Sequence, residues 1–159
     1  MEIDGPVSPV TNLELLPAVE PERRGRVLVV DDDPDMLALL EESLRDEGYL
    51  VSSAADTLSA MIHLLGRPVD VLVLDWKIPD LDGFVLLDSV RRSLPGLPVI
   101  FITAHNHPDI QRKALAFGAF SFLAKPFPVR LLVAEIQGAL MSGARGKDTP
   151  GNHRSPEGV

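Results

Sequence analysis

Between residues 26 and 141, short apolar runs alternate with segments whose apolar residues recur every three or four positions. The runs, mostly β-branched, fall at 27–30, 49–51, 69–74, 99–102 and 120–123. Three of them are nearly continuous in Val, Ile, Leu and Phe, the pattern of strands covered on both faces by helices, which argues for a parallel sheet. The segment 34–47 puts Met36, Leu37, Leu40 and Leu44 on one face and Glu41, Glu42 and Arg45 elsewhere. Asp33 and Pro34 suit its N-cap and first turn, and Gly48 suits the position after its end. Further helices are predicted at 56–66, 82–94, 108–117, closed by Gly118, and 128–141. Five strand–helix units in succession predict an α/β fold, a doubly wound open sandwich.

Outside this region the pattern fades. Residues 1–25 hold four prolines and five acids without sustained periodicity, and 142–159 is rich in Gly, Pro and charge. Both are expected to be flexible tails flanking one domain, 26–141. A length of 159 residues with 45% hydrophobic content suits a single core. The net charge of −8 has the wrong sign for a nucleic-acid or anionic membrane surface, so no direct nucleic-acid or membrane partner is expected. With no cysteine there is no disulfide framework or thiolate metal site. No signal-peptide pattern or bilayer-length apolar stretch is present, so a cytoplasmic location is expected.

In open α/β sheets, ligands sit beyond the carboxyl ends of the strands, so the residues following each apolar run are the informative ones. The first run ends in Asp31 and Asp32, the third in Asp75, the fourth in Thr103, and the fifth is followed by Lys125. Three carboxylates brought together repel one another unless a cation neutralises them. An all-oxygen set without His or Cys favours a hard ion such as Mg²⁺. A lysine and a hydroxyl beside it are donors suited to phosphoryl oxygens.

These residues lie in VLVVDDDPDM, VLVLDWKIPDLDGFVLL, PVIFITAH and GAFSFLAKPF, and in that order and spacing the chain resembles the receiver domain of two-component response regulators. The resemblance implies a flavodoxin-like three-layer sandwich with strand order 2-1-3-4-5. It implies Mg²⁺ bound directly by Asp32, largely through water by Asp31, by Asp75 and by the backbone carbonyl of Lys77. Asp75 is then the phosphoacceptor, Thr103 and Phe122 the switch residues, and Lys125 the phosphate contact, in a cis bond to Pro126. Pro79 and Gly83 match the loop after the acceptor, while Trp76 replaces a commoner aliphatic residue and is expected to pack. Lys77 and His105, two residues beyond Asp75 and Thr103, are expected to border the path of hydrolytic water and tune dephosphorylation.

The implied function is phosphorelay signalling. A histidine kinase or histidine phosphotransfer protein supplies the phosphoryl group, and an unknown downstream protein binds the face of the fourth helix, fifth strand and fifth helix. The protein is expected to be a monomer or a phosphorylation-dependent dimer, and no enzyme beyond self-directed phosphotransfer and slow self-dephosphorylation. With only a short segment after the last helix, output is expected through a partner. A phosphohydrolase with an aspartate nucleophile would need Thr or Val where Asp35 stands, and a nucleotide site would need glycines in the acidic DDDPD loop. His105 and His107 complete no metal-ligand spacing and are expected to be solvated. Asp33 and Asp35 are expected only to cap the first helix.

Overall fold

The computed structural model describes residues 24–78, 80–105 and 107–147. Pro79 and most of both expected tails lie outside the described residues. Five long parallel strands, β1 (Arg26–Val30), β2 (Leu50–Ala54), β3 (Val71–Asp75), β6 (Val99–Thr103) and β7 (Ser121–Ala124), form one sheet in the order β2-β1-β3-β6-β7. Taken along the chain, this is the expected 2-1-3-4-5. Two further two-residue strands, β4 (Lys77–Ile78) and β5 (Leu81–Asp82), pair antiparallel in a small ribbon directly after β3. A strand pair this short carries no periodicity, and the sequence did not predict it.

Successive side chains of a strand point to opposite faces, and here both faces are apolar. Val27, Val29, Val71, Val73, Ile100 and Ile102 face one layer, formed by helices α1 (Pro34–Asp46) and α5 (Val129–Lys147). Leu28, Val30, Leu72, Leu74, Val99 and Phe101 face the other, formed by α2 (Thr57–Gly66), α3 (Gly83–Ser93) and α4 (Pro108–Ala116). β3 and β6 are buried along their whole length, which is why they read as unbroken apolar runs. The edge strand β2 extends through Ser52 and Ser53, half-exposed polar positions that shortened its predicted run to 49–51.

The helix ends follow their local chemistry. The Asp33 carboxylate accepts from the Asp35 and Met36 amides at the start of α1. Asp56 and Asp82 cap α2 and α3 in the same way, so these two residues stand just outside the helices they were predicted to open. Helix α5 runs on to Lys147, six residues past the predicted end at 141, because the SGARGK stretch read as tail contains no proline to stop it.

Gly83 opens α3 where the backbone doubles back on β3. Its N–H donates to the Trp76 carbonyl at 2.8 Å. A Cβ at this position would lie 2.6 Å from both the Cα and the carbonyl oxygen of Trp76, so the close approach admits glycine alone. Gly83→Ala is expected to lower the unfolding free energy by about 1–3 kcal/mol. In urea denaturation this appears as a lower midpoint at unchanged slope.

Candidate functional site

Parallel pairing explains how residues far apart in sequence meet. Val30 of β1 is in register with Leu74 of β3, so the next residues along, Asp31 and Asp75, leave the sheet side by side at its carboxyl edge. Asp75 in turn lies in register with Ile102, which sets Thr103 beside the start of the β3–β4 loop. Thr103 pairs with Ala124, and the Lys125 N–H donates to the Thr103 carbonyl at 2.7 Å, so the residue after β7 turns in over the same edge. The Lys125–Pro126 peptide is cis, as the resemblance implied.

One device orients the strand-end side chains. Asp31 Oδ1 accepts from the Asp33 N–H at 3.0 Å, Asp75 Oδ1 from the Lys77 N–H at 3.1 Å, and Thr103 Oγ1 from the His105 N–H at 3.0 Å. Each residue thus holds the loop that follows it through the amide two positions on, a bond natural to Asp and Thr. The second oxygens of the two carboxylates are shared by one cation. Lys125 Nζ donates to Asp31 Oδ2 at 2.6 Å and to Asp75 Oδ2 at 3.0 Å.

Asp31, Asp75 and Thr103 are buried, whereas Asp32 is exposed at the rim. Oxygens of Asp31, Asp32 and Asp75 all lie within 4.8 Å of one another, a group that could hold a metal ion. Burial raises the Asp75 carboxyl above its ordinary value; the Lys77 amide and the Lys125 ammonium oppose this, and the nearby Asp31 charge adds to it. For Lys125 burial acts downward, but its bonds to Asp31 and Asp75 outweigh it and leave the ammonium raised. The cleft above these groups has a volume of about 530 Å³ and is lined by Asp31, Asp32 and Asp75, by the α1 cap residue Asp33, and by Lys77, His105 and Lys125.

All the predicted site residues except Thr103 and Phe122 therefore line this cleft; Thr103 is fully buried and bonds the amide of His105, which does line it. Phe122 lies on β7 two residues before the partner of Thr103, half-buried against the core layer of α2, α3 and α4. Trp76 packs as expected, its ring 5.4 Å from that of Phe84. Phe84 stacks on Phe101 at 5.5 Å and contacts Phe117 at 5.7 Å, and the Lys113 ammonium lies 4.3 Å above its ring. His107 is solvated, but it also caps α4: its Nδ1 accepts from the Asp109 N–H at 3.2 Å. Sequence reasoning missed this cap, although a polar residue directly before Pro108 was a usable signal. It also missed Asp80, whose carboxylate accepts from the amide and hydroxyl of Thr57 and so ties the ribbon to the start of α2. Only the tertiary fold brings these two together.

Among the described residues, no helix is long and apolar enough to cross a membrane. The family model of the response regulator receiver domain matches residues 27–137. The chain is 39% identical over 115 residues to the transcriptional regulatory protein PrrA of Mycobacterium leprae, a match covering 72% of this chain and 49% of that protein. It is 36% identical over 118 residues to the DNA-binding transcriptional regulator NtrC of Proteus hauseri, covering 74% of this chain and 25% of that one. The chain thus spans a quarter to a half of the length of these curated relatives. Among solved structures, the CheY-like receiver domain protein of Methanospirillum hungatei superposes with a TM-score of 0.73 at 28% identity, covering 77% of this chain and 98% of that one. The beryllofluoride-activated NtrC4 receiver domain dimer does so with a TM-score of 0.71 at 36% identity, covering 74% and 98%. With the family model matching most of its length, and with the sheet order and site of its own structure in agreement, this chain belongs to the receiver domain family of two-component response regulators.

Proposed function

We propose that Asp75 accepts a phosphoryl group from a histidine kinase or histidine phosphotransfer protein, and that the phosphorylated domain signals by binding another protein. The observation carrying this reading is the cluster itself: two buried carboxylates bridged by one ammonium, with a third carboxylate at the open rim. In the transfer, an Asp75 carboxylate oxygen attacks phosphorus, the phosphorus–nitrogen bond of the donor phosphohistidine breaks, and the imidazole leaves with that electron pair. Lys125, already within bonding distance of both carboxylates, turns to the phosphoryl oxygens. Asp31, Asp32, Asp75 and the Lys77 carbonyl would hold Mg²⁺, an assignment supported by the all-oxygen donors and their spacing. Bound there, Mg²⁺ supplies positive charge that offsets the phosphoryl oxygens.

The same reading makes Thr103 the switch hydroxyl. Its oxygen accepts from the His105 amide, which leaves its own O–H to donate to a phosphoryl oxygen. Phosphorylation adds about two negative charges at Asp75, a local event able to bias Thr103 and Phe122 and, through them, the face of α4, β7 and α5. That face is the proposed docking surface for the downstream protein. A phosphorylation-dependent dimer is the second form proposed, supported by the dimeric state of the activated NtrC4 receiver. A cytoplasmic location and a receiver unit over 26–141, extended by the last turns of α5, complete the reading.

Intact-mass spectrometry tests the acceptor. A small-molecule phosphodonor is expected to add one phosphoryl mass to the wild type only with a divalent cation present, and none to Asp75→Asn. Gain of that mass by Asp75→Asn, or indifference to a chelator, would overturn the assignment.

The raised Asp75 carboxyl also has a consequence for stability. Below the ordinary carboxylate range both folded and unfolded chains bind the proton, and Asp75 has no net effect. As pH rises, the unfolded chain ionises first, so the folded form loses stability until its own higher value is passed. In chelator, Asp75→Asn is therefore expected to be more stable than the wild type at pH 7, with the difference shrinking toward pH 3. Thermal unfolding across that range measures it.

Lys77 and His105 border the cleft, and neither can act as a carboxylate or amide that orients water. The Lys77 ammonium instead reaches a phosphoryl oxygen and crowds the attacking water. Lys77→Asn should hasten loss of the phosphoryl group several-fold, with about tenfold as the ceiling for an exposed ion pair. An unchanged or slower decay would remove Lys77 from this role.

A further inference from the structure

Helix α2 is an anomaly among the surface helices. Its sequence, TLSAMIHLLG, contains no Asp, Glu, Lys or Arg. Ala60 and Leu64 are buried against the sheet, yet Leu58, Ile62 and Leu65 on the outer side are 69%, 63% and 72% exposed. Spaced four and three residues apart, they form one stripe along the helix. A helix that buries one apolar face and carries a second stripe of large apolar side chains on the other presents the kind of patch that is normally covered. The stripe offers roughly 400 Å² of apolar surface, about half of what each side of a standard protein–protein interface buries. That area is too small for a stable dimer of two chains. It is enough for a tethered segment, whose effective concentration can reach the millimolar range.

Such a segment lies in the same chain. The residues ahead of Arg24 include Leu13, Leu15, Leu16 and Val19, the apolar part of TNLELLPAV. Their point of attachment is at the right end of the sheet. The Asp70 N–H donates to the Arg26 carbonyl, Asp70 also holds the Arg26 guanidinium, and Asp70 closes the loop that follows α2. Gly25 lies against Leu140 and Asp70, which with Leu64 and Arg67 of the α2 end line one cleft of about 570 Å³. From Arg24, residues 13–19 can reach about 35 Å at ~3.3–3.6 Å per residue. The ten-residue helix is only about 15 Å long.

We infer that residues 13–19 fold back and cover the Leu58–Ile62–Leu65 stripe of α2, so that the chain masks this face with its own N-terminal segment. The segment, and not an outside partner, then occupies the α2 side of the domain, leaving the α4, β7 and α5 face open.

The absence of cysteine from the chain allows a single label to be placed cleanly. A nitroxide on Thr11→Cys in the isotope-labelled full chain is expected to remove more than half the intensity of the amide signals of residues 57–66. The loss should vanish when Leu15→Glu and Leu16→Glu are combined, and also in Ile62→Glu. A mixture of labelled chains without nitroxide and unlabelled chains with it should show no loss. Full intensity in the single-chain experiment, or loss that survives the substitutions, overturns the inference. So does loss in the mixture, which would mean a second copy covers the stripe. If Ile62→Glu failed to give a dispersed spectrum, the Leu15 and Leu16 substitutions would decide.

Discussion

Two carboxylates, Asp31 and Asp75, are forced together because the strands carrying them are hydrogen-bonded neighbours in parallel register. Their mutual repulsion in a buried setting is the constraint around which the carboxyl edge is built. A single ammonium, Lys125, stands between them and bonds to both, so the resting cluster keeps one excess negative charge before the exposed Asp32 is counted. Removing a buried charge's partner is far costlier than the pair's net contribution to stability, so such a cluster is better suited to exchanging charged ligands than to holding the fold together. In the proposed function, a cation or a phosphoryl group added here would change that balance and offer Lys125 and Thr103 new partners.

Stability comes from elsewhere, chiefly from the two apolar layers on either side of the sheet. β3 and β6, buried throughout, form the rigid base from which Asp75 and Thr103 project. The i to i+2 bonds at Asp31, Asp75 and Thr103 then fix the direction of each polar atom without help from distant residues. A site of this kind, with rigid strands behind and short self-bonded loops in front, holds its oxygens in place while the loops stay at the surface.

Beside the site, aromatic rings pack in a row. Trp76, directly after Asp75, touches Phe84 at the start of α3. Phe84 stacks on Phe101 of β6 and meets Phe117 at the end of α4. Gly83 makes this possible by letting α3 start against the Trp76 backbone. The side chain next to the proposed acceptor thus touches α3 through Phe84, and it is Phe84 that reaches the end of α4 through Phe117 and the Lys113 ammonium over its ring.

Much of this was legible in the sequence, for identifiable reasons. The all-apolar runs of β1, β3 and β6 report strands buried on both faces, and the polar residues Asp31, Asp75 and Thr103 that end them report the edge, where the chain leaves the two apolar layers. The Asp33 cap is local chemistry and was read correctly. The β4–β5 ribbon, the extension of α5 and the Asp80–Thr57 tie were not legible, since a two-residue strand has no period and a long-range hydrogen bond leaves no mark on either partner's neighbourhood. Which oxygen of each carboxylate faces Lys125, which bonds its own loop, and how close Gly83 comes to Trp76 were decided only by the tertiary structure. Periodicity dictates which face of an element is buried, but distances between elements are set by how their side chains pack.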